Sequence, residues 1–469
     1  MPTFPCCSFL HPKEIDLLDP SIDNIKLTPE LQKIGRKHFL WFVRINTISY
    51  CCLSDTILIL YAIKMGADDL FIGFMASLLY LTMPLMFIGK RLIGKFGVAH
   101  TFGTSWLIRN AFATLMVLVP VVISMSNQSL GLNLLALSAF LFFAFRSIGF
   151  TANTPLIGDI TGKDNCGQFL SKMWLHFNMF YFVTLLVLML IFRHSDSTQT
   201  FQFIILGGCV FGIVASILVY HIPESTGPMI SGRRPVSQSF SYLWRNIKCR
   251  KLLFSWTAAT TANMLMIPFS MVALKNGYAV SDHKALFFAL IQLFGGIIAS
   301  SFNIFLLGRV GPKPMLILYS SGLVVNAFLW VISPQQFVPF YQGAIFFING
   351  MALAGINTSL SHYFLTAVPE KERVGTNMFY LIISGAAAGI AGIVLGGGLL
   401  ALLRFFDLSS LSIYRTFFAI ILFILLPLFY IIKGIERIED WRVKDVLKIF
   451  LSFRDLRALL ALKKLENKS

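Results

Sequence analysis

The chain has 469 residues, of which 56% are hydrophobic and only 13% charged, with 46 Phe and a mean hydropathy of +0.74. Ordinary soluble domains carry about 25% charged residues. The composition therefore excludes a soluble enzyme or adaptor and indicates an all-α polytopic membrane protein, because apolar helices of about twenty residues cross lipid with every backbone group satisfied, whereas a β-barrel would show short alternating segments.

In chain order, residues 1–38 form an N-tail of mixed charge without the short apolar core and cleavage site of a signal peptide. His11 and Asp16 make a His-x-x-x-x-Asp spacing there, but beside Pro12 in a tail it forms no reaction centre. Six apolar runs follow, roughly 39–63, 70–89, 99–123, 130–155, 169–192 and 201–222. The stretch 223–250, PESTGPMISGRRPVSQSFSYLWRNIKCR, is the longest polar segment between runs. Six more runs occupy roughly 252–274, 285–307, 314–332, 338–361, 375–403 and 413–432. The expected organisation is an N-terminal six-helix bundle (39–222), a cytoplasmic central loop (223–250), a C-terminal six-helix bundle (251–432) and a cytoplasmic C-tail (433–469). In that tail apolar residues at 443, 446, 447, 450, 456, 459 and 460 are interleaved with Lys and Arg, the pattern of a helix lying on a membrane surface.

Twelve spans put both termini on one side, and 29 of the 39 Lys and Arg fall on that side. Positive residues stay cytoplasmic, so the expected topology is N-in/C-in, in a bacterial cytoplasmic (inner) membrane. The net charge of +17 thus marks orientation and contact with anionic lipids, not nucleic acid. Seven Cys show no metal-ligand spacing, and no HExxH motif or P-loop is present. No enzyme activity, cofactor, metal or ATP drive is expected.

Two turns repeat. Gly94-Lys95-Phe96-Gly97 aligns with Gly308-Arg309-Val310-Gly311 at an offset of 214, and Lys163, Asp164 and Gly167 align with Lys371, Glu372 and Gly375 at an offset of 208. Nearly equal shifts at independent turns indicate two halves in parallel orientation, related by an axis along the membrane normal. Six plus six spans, a basic central loop and a Gly-basic-x-Gly turn after spans two and eight resemble the major facilitator superfamily of secondary transporters. The family's turn is Gly-x-x-x-Asp-Arg-x-Gly-Arg-Lys: Lys95 and Arg309 fall on its Arg, Gly97 and Gly311 on its second Gly, while Gly94 and Gly308 replace its Asp. RSIG (146–149) is similar to the Arg-x-x-x-Gly element of span four but one residue short. MGADDLFIGF (65–74) resembles the first outer loop, and VPEKERVG (368–375) the turn before span eleven. The resemblance implies that Gly94, Lys95, Gly97, Gly308, Arg309 and Gly311 form conformational gating turns.

Charges inside spans each need a reason, since one at mid-membrane costs about 2.5–3.5 kcal/mol. Arg44, Asp55, Arg109, Arg146 and Lys172 lie within spans, with His176 one turn beyond Lys172. Asp55 is the carboxylate well inside a span. An Arg partner on another helix could be released when Asp55 takes a proton, making Asp55 the proton-coupling residue; a permanent structural ion pair is the alternative. Arg44 and Lys172 are placed to snorkel. Arg146, Arg109 and His176 in the first half, and Gln292, Asn349 and Asn357 in the second, are the candidate solute contacts, although amides also glue helices together. GAAAGIAGIVLGGG (385–398) suits close helix packing. The expected function is secondary active transport by alternating access. The solute is a small anionic or zwitterionic organic molecule, with H+ or Na+ as a coupling ion, and the carrier a monomer. Efflux of lipophilic compounds, or a receptor or scaffold on the same fold, is the alternative.

Overall fold

The computed structural model describes residues 27–67, 69–162, 165–195, 197–406 and 409–436. The N-tail motif at His11 and Asp16, the turn residues Lys163 and Asp164, the side chain of Asp55 and the amphipathic C-tail lie outside the described residues.

The first half contains α1 (Pro29–Cys52), α2 (Asp55–Lys64), α3 (Asp69–Leu81), α4 (Met86–Phe96), α5 (Val98–Thr114), α6 (Val119–Met125), α7 (Gln128–Thr161), α8 (Cys166–His194) and α9 (Thr198–Val219). Short side chains start several helices: Thr28 accepts from the Leu31 N–H, Asn127 from Leu130 and Ser197 from Thr200, satisfying donors that an N-terminus leaves open. The stretch read as a polar loop holds two short helices, α10 (Gly227–Arg233) and α11 (Val236–Arg245). The second half contains α12 (Ile247–Val272), α13 (Asp282–Val310), α14 (Pro312–Val331), α15 (Pro339–Ala367), α16 (Arg373–Ala391), α17 (Leu399–Leu403) and α18 (Ser410–Lys433).

Eleven helical segments of the described residues are long and apolar enough to cross a membrane. The second expected span is not among the eleven; it consists of α3 and α4 with a 3-10 turn at Met83–Leu85 between them, where Pro84 removes a backbone donor. Counting 69–96 as one broken crossing agrees with twelve. The first span is also broken, at Leu53 and Ser54, so Asp55 opens α2 instead of lying within a continuous helix.

The halves share one plan. In the first, neighbours run α8, α1, α9, α5, α7, α4; in the second, α16, α12, α18, α14, α15, α13, which is the same order of corresponding spans. The halves meet where α8 packs on α13 and α4 on α16. Gly97 (φ 88°, ψ 175°) and Gly311 (φ 90°, ψ 162°) turn the chain identically into α5 and α14, at the offset of 214 that the sequence shows. That conformation is essentially restricted to glycine.

Candidate functional site

Two groups of polar side chains stand out. The first closes the end of the molecule that carries both described termini, here the basic end. Lys90 is 1% exposed. Its Nζ donates to the carbonyls of Ser231 (3.3 Å), Gly232 (3.0 Å) and Arg234, closing the C-terminus of α10 with a cation where carbonyls point outward. Gly94 lets α10 approach: a Cβ there would stand 2.9 Å from backbone atoms of Gly232 and Arg233. Arg233 Nε donates to the Gly94 carbonyl at 2.9 Å, and Arg234 pairs with Glu372 of the second half.

Acids reach this end from positions other than the family's turn. Glu224 Oε2 accepts from the backbone N–H groups of Val98 (2.5 Å) and Ala99 (2.7 Å), capping α5. Burial pushes its carboxyl up to about 7, opposed by those two donors and assisted by repulsion from Asp159. Asp159, in the last turn of α7, accepts from Ser225 N–H and Oγ, both at 2.6 Å, and Ser225 Oγ also meets Glu370 at 3.2 Å. Across the seam, a Cβ at Gly158 would stand 2.7 Å from Arg373 Nη1, and one at Gly167 3.0 Å from the His362 ring. Phe87 and Phe379 meet edge-on at 6.1 Å.

The second group lies inside the first half. Arg109 is 1% exposed. Its guanidinium lies 4.4 Å from the Trp106 ring centroid and 4.9 Å from that of Phe142, and Nη2 donates to Asn46 Oδ1 at 3.3 Å; Trp106 Nε1 donates to the same oxygen at 2.8 Å. Its Nε is buried without a partner. Arg146 is close enough to repel Arg109, and Tyr50 is also near. The Arg146 guanidinium lies 5.4 Å from the Phe150 ring, on the side of α7 opposite the exposed Leu130 and Leu137. Tyr50 extends the site as aromatic wall: it meets Phe177 at 5.9 Å and Tyr181 at 6.0 Å, and Phe177 meets Trp174 at 5.4 Å.

Neither Arg109 nor Arg146 has a carboxylate partner among the described residues. Burying a cation costs several kcal/mol, and each ring contact returns about 2 kcal/mol when desolvated. Two guanidinium groups close enough to repel one another could be neutralised by an anion.

The other candidates are dispersed. His176 faces Arg44, Nη2 to Nε2 at 3.2 Å, away from the Arg109 group. Asn349 is fully buried and donates to Ser270 Oγ at 3.1 Å, which also accepts from Trp330 Nε1 at 2.9 Å. This is the geometry of glue within the second half. Gln292 and Asn357 are half-buried, and α15 passes so close to Gln292 that Gly350 is needed there. Lys95 lies 5.0 Å from the Phe96 ring. Gly308 is exposed with no atom within 4 Å of a Cβ position, and the neighbouring Arg309 is half-buried. Among the described residues no cluster could hold a metal ion. Asn46, Glu224 and Asp159 were not legible as site residues: an Asn in a helix declares no direction, and Asp159 lies just past the expected span end.

The family model of the Major Facilitator Superfamily matches residues 45–393. The chain belongs to the major facilitator superfamily. Solved structures of the same fold include the E. coli fucose:proton symporter FucP (13% identity, 87% of this chain and 98% of that one, TM-score 0.62), and a bacterial homologue of the iron transporter ferroportin in an outward-facing state (12%, 85% and 98%, 0.61). The human organic anion transporter TETRAN is another (11%, 86% and 99%, 0.60). No curated protein sequence matches the chain. At these identities the likeness shows the fold: a transporter fold with membrane-spanning helices.

Proposed function

We propose that this superfamily member is a secondary active transporter that carries a small organic anion or zwitterion by alternating access. The observation that carries the reading is the Arg109–Arg146 pair, held over aromatic rings in the first half with no carboxylate partner among the described residues. Arg146, half-buried, is the group that meets the solute; Arg109 behind it raises the local positive potential and is oriented by Asn46. A guanidinium binds carboxylate or phosphate through two parallel N–H donors, and the Tyr50–Phe177–Tyr181 wall suits a flat apolar body.

The contacts between halves at the basic end support a state closed on that side. With the termini cytoplasmic, as the Lys and Arg distribution favours, this is the outward-facing arm of the cycle. Asp55 is the proposed coupling group, since protonation would alter its attraction to an Arg between states. Uptake by proteoliposomes of radiolabelled carboxylates, phosphate esters and peptides, with and without an imposed pH gradient, tests both parts. Concentrative uptake of an anion should be lost in Arg146→Ala, and its pH drive lost in Asp55→Asn while exchange persists. Wild-type uptake by Arg146→Ala would refute the anion site, and pH-driven accumulation by Asp55→Asn would refute the coupling role.

A further inference from the structure

Arg44 and His176 do not belong to the solute site, and their surroundings point elsewhere. On α1, Ile34, Lys37 and Trp41 are exposed at spacings of three and four, and Arg44 and Ile48 continue that stripe. On α8 the exposed Lys172, Met179, Val183 and Leu190 mark an outer face, about a third of a turn around the helix from the side where Asn178 packs on Gly296 of the second half. The two stripes meet at the seam of α1 and α8. There the Arg44 guanidinium lies 4.5 Å from the exposed Trp41 ring, and its Nη2 lies 3.2 Å from His176 Nε2. Arginine only donates, so His176 Nε2 accepts and its proton sits on Nδ1, leaving a second donor. Arg44 Nε is buried without a partner, and Lys172 is near enough to act on the same imidazole. No carboxylate faces this group among the described residues.

We infer that this seam binds the phosphate of an anionic phospholipid in the leaflet on the basic side. Lys172 is six residues into α8, about 9 Å from its start, a depth at which a long cationic side chain reaches headgroups. Charge selects the occupant: the two cations Arg44 and Lys172, beside the imidazole donor of His176, attract a net anion and repel the ammonium of a zwitterionic lipid. Trp41 sits where an indole prefers the interface, and Ile48, Met179 and Val183 offer an apolar track for acyl chains. A lipid bound here ties the first crossing to the fifth from outside the solute path.

Thermal unfolding of the full-length detergent-purified protein, titrated with phosphatidylglycerol, phosphatidylcholine or inorganic phosphate, tests the site. Phosphatidylglycerol should raise the Tm and phosphatidylcholine should not, and any rise with inorganic phosphate should be the same in Lys172→Gln as in wild type. Lys172→Gln, at an exposed position, and Arg44→Gln should each raise the half-saturating lipid concentration about fivefold, while Arg146→Gln should keep the wild-type value. Fluorescence quenching by brominated phosphatidylglycerol should be weaker in Trp41→Phe, a readout that survives if Arg44→Gln does not fold. Wild-type half-saturation in Lys172→Gln, equal shifts with phosphatidylcholine, or unchanged quenching in Trp41→Phe would each overturn the inference.

Discussion

The turn at Gly94–Gly97 and its counterpart at Gly308–Gly311 have the same backbone and different surroundings. Gly97 and Gly311 share φ near +90°, so the chain takes the same path at both turns. Gly94, however, is covered by α10 and Gly308 is open. The linker exists in one copy, and it covers one turn: Lys90 closes the end of α10, and Arg234 extends from there to Glu372. The same asymmetry governs charge. The first half places Arg109 and Arg146 in its interior, whereas the buried Asn326 and Asn349 of the second bond within their own half, Asn326 Nδ2 to the Ile345 carbonyl at 2.7 Å. Repetition of a backbone leaves its surface chemistry free to diverge.

The comparison can be broken most directly at the glycines. Gly97→Ala and Gly311→Ala should each lose about 1–3 kcal/mol by forcing a side chain into a glycine-only region, with Gly97→Ala the worse because the Glu224 carboxylate occupies the Cβ position. Gly94→Val should lose about 1–3 kcal/mol by pushing α10 away, while Gly308→Ala should be neutral or gain up to about 1 kcal/mol by stiffening a helix. Thermal unfolding of the four variants in one detergent checks the order, and equal costs at Gly94 and Gly308 would contradict the unequal covering.

A smaller effect should appear with pH at the linker's start. The Glu224 carboxyl, raised from its ordinary 4.5 to about 7, holds a proton in the folded protein that the unfolded chain has released between those values. Its contribution is fully present below about 4.5 and is lost as pH rises through about 7. Glu224→Gln cannot lose that proton. The stability of wild type relative to this variant should therefore fall from pH 5 to pH 8, and a difference independent of pH would place the carboxyl in its ordinary range.

Much of this architecture was legible in the sequence, because long apolar runs and a repeated glycine turn are local signals. The break at Pro84 and the helices α10 and α11 were not. α10 in particular depends on a distant cation, Lys90, for its C-terminus and on Gly94 for its seat, neither of which is visible from the composition of 223–250. At the site, Arg109 and Arg146 were conspicuous as charges in apolar runs. Asn46 was silent until its oxygen was seen to accept from both Trp106 and Arg109. The acid missing from the Gly94–Gly97 turn likewise has a distant substitute: Glu224 brings a carboxylate to the start of α5, 126 positions from Val98.

The central claim, an organic-anion site built on Arg146, is tested most directly by equilibrium binding. Thermal shift of the purified protein against a panel of small carboxylates and phosphate esters should find an anion that adds about 2.7 kcal/mol of stability at one hundred times its Kd. In Arg146→Gln that anion should give no shift while the unliganded Tm stays at the wild-type value. An equal ligand shift in Arg146→Gln would contradict the account.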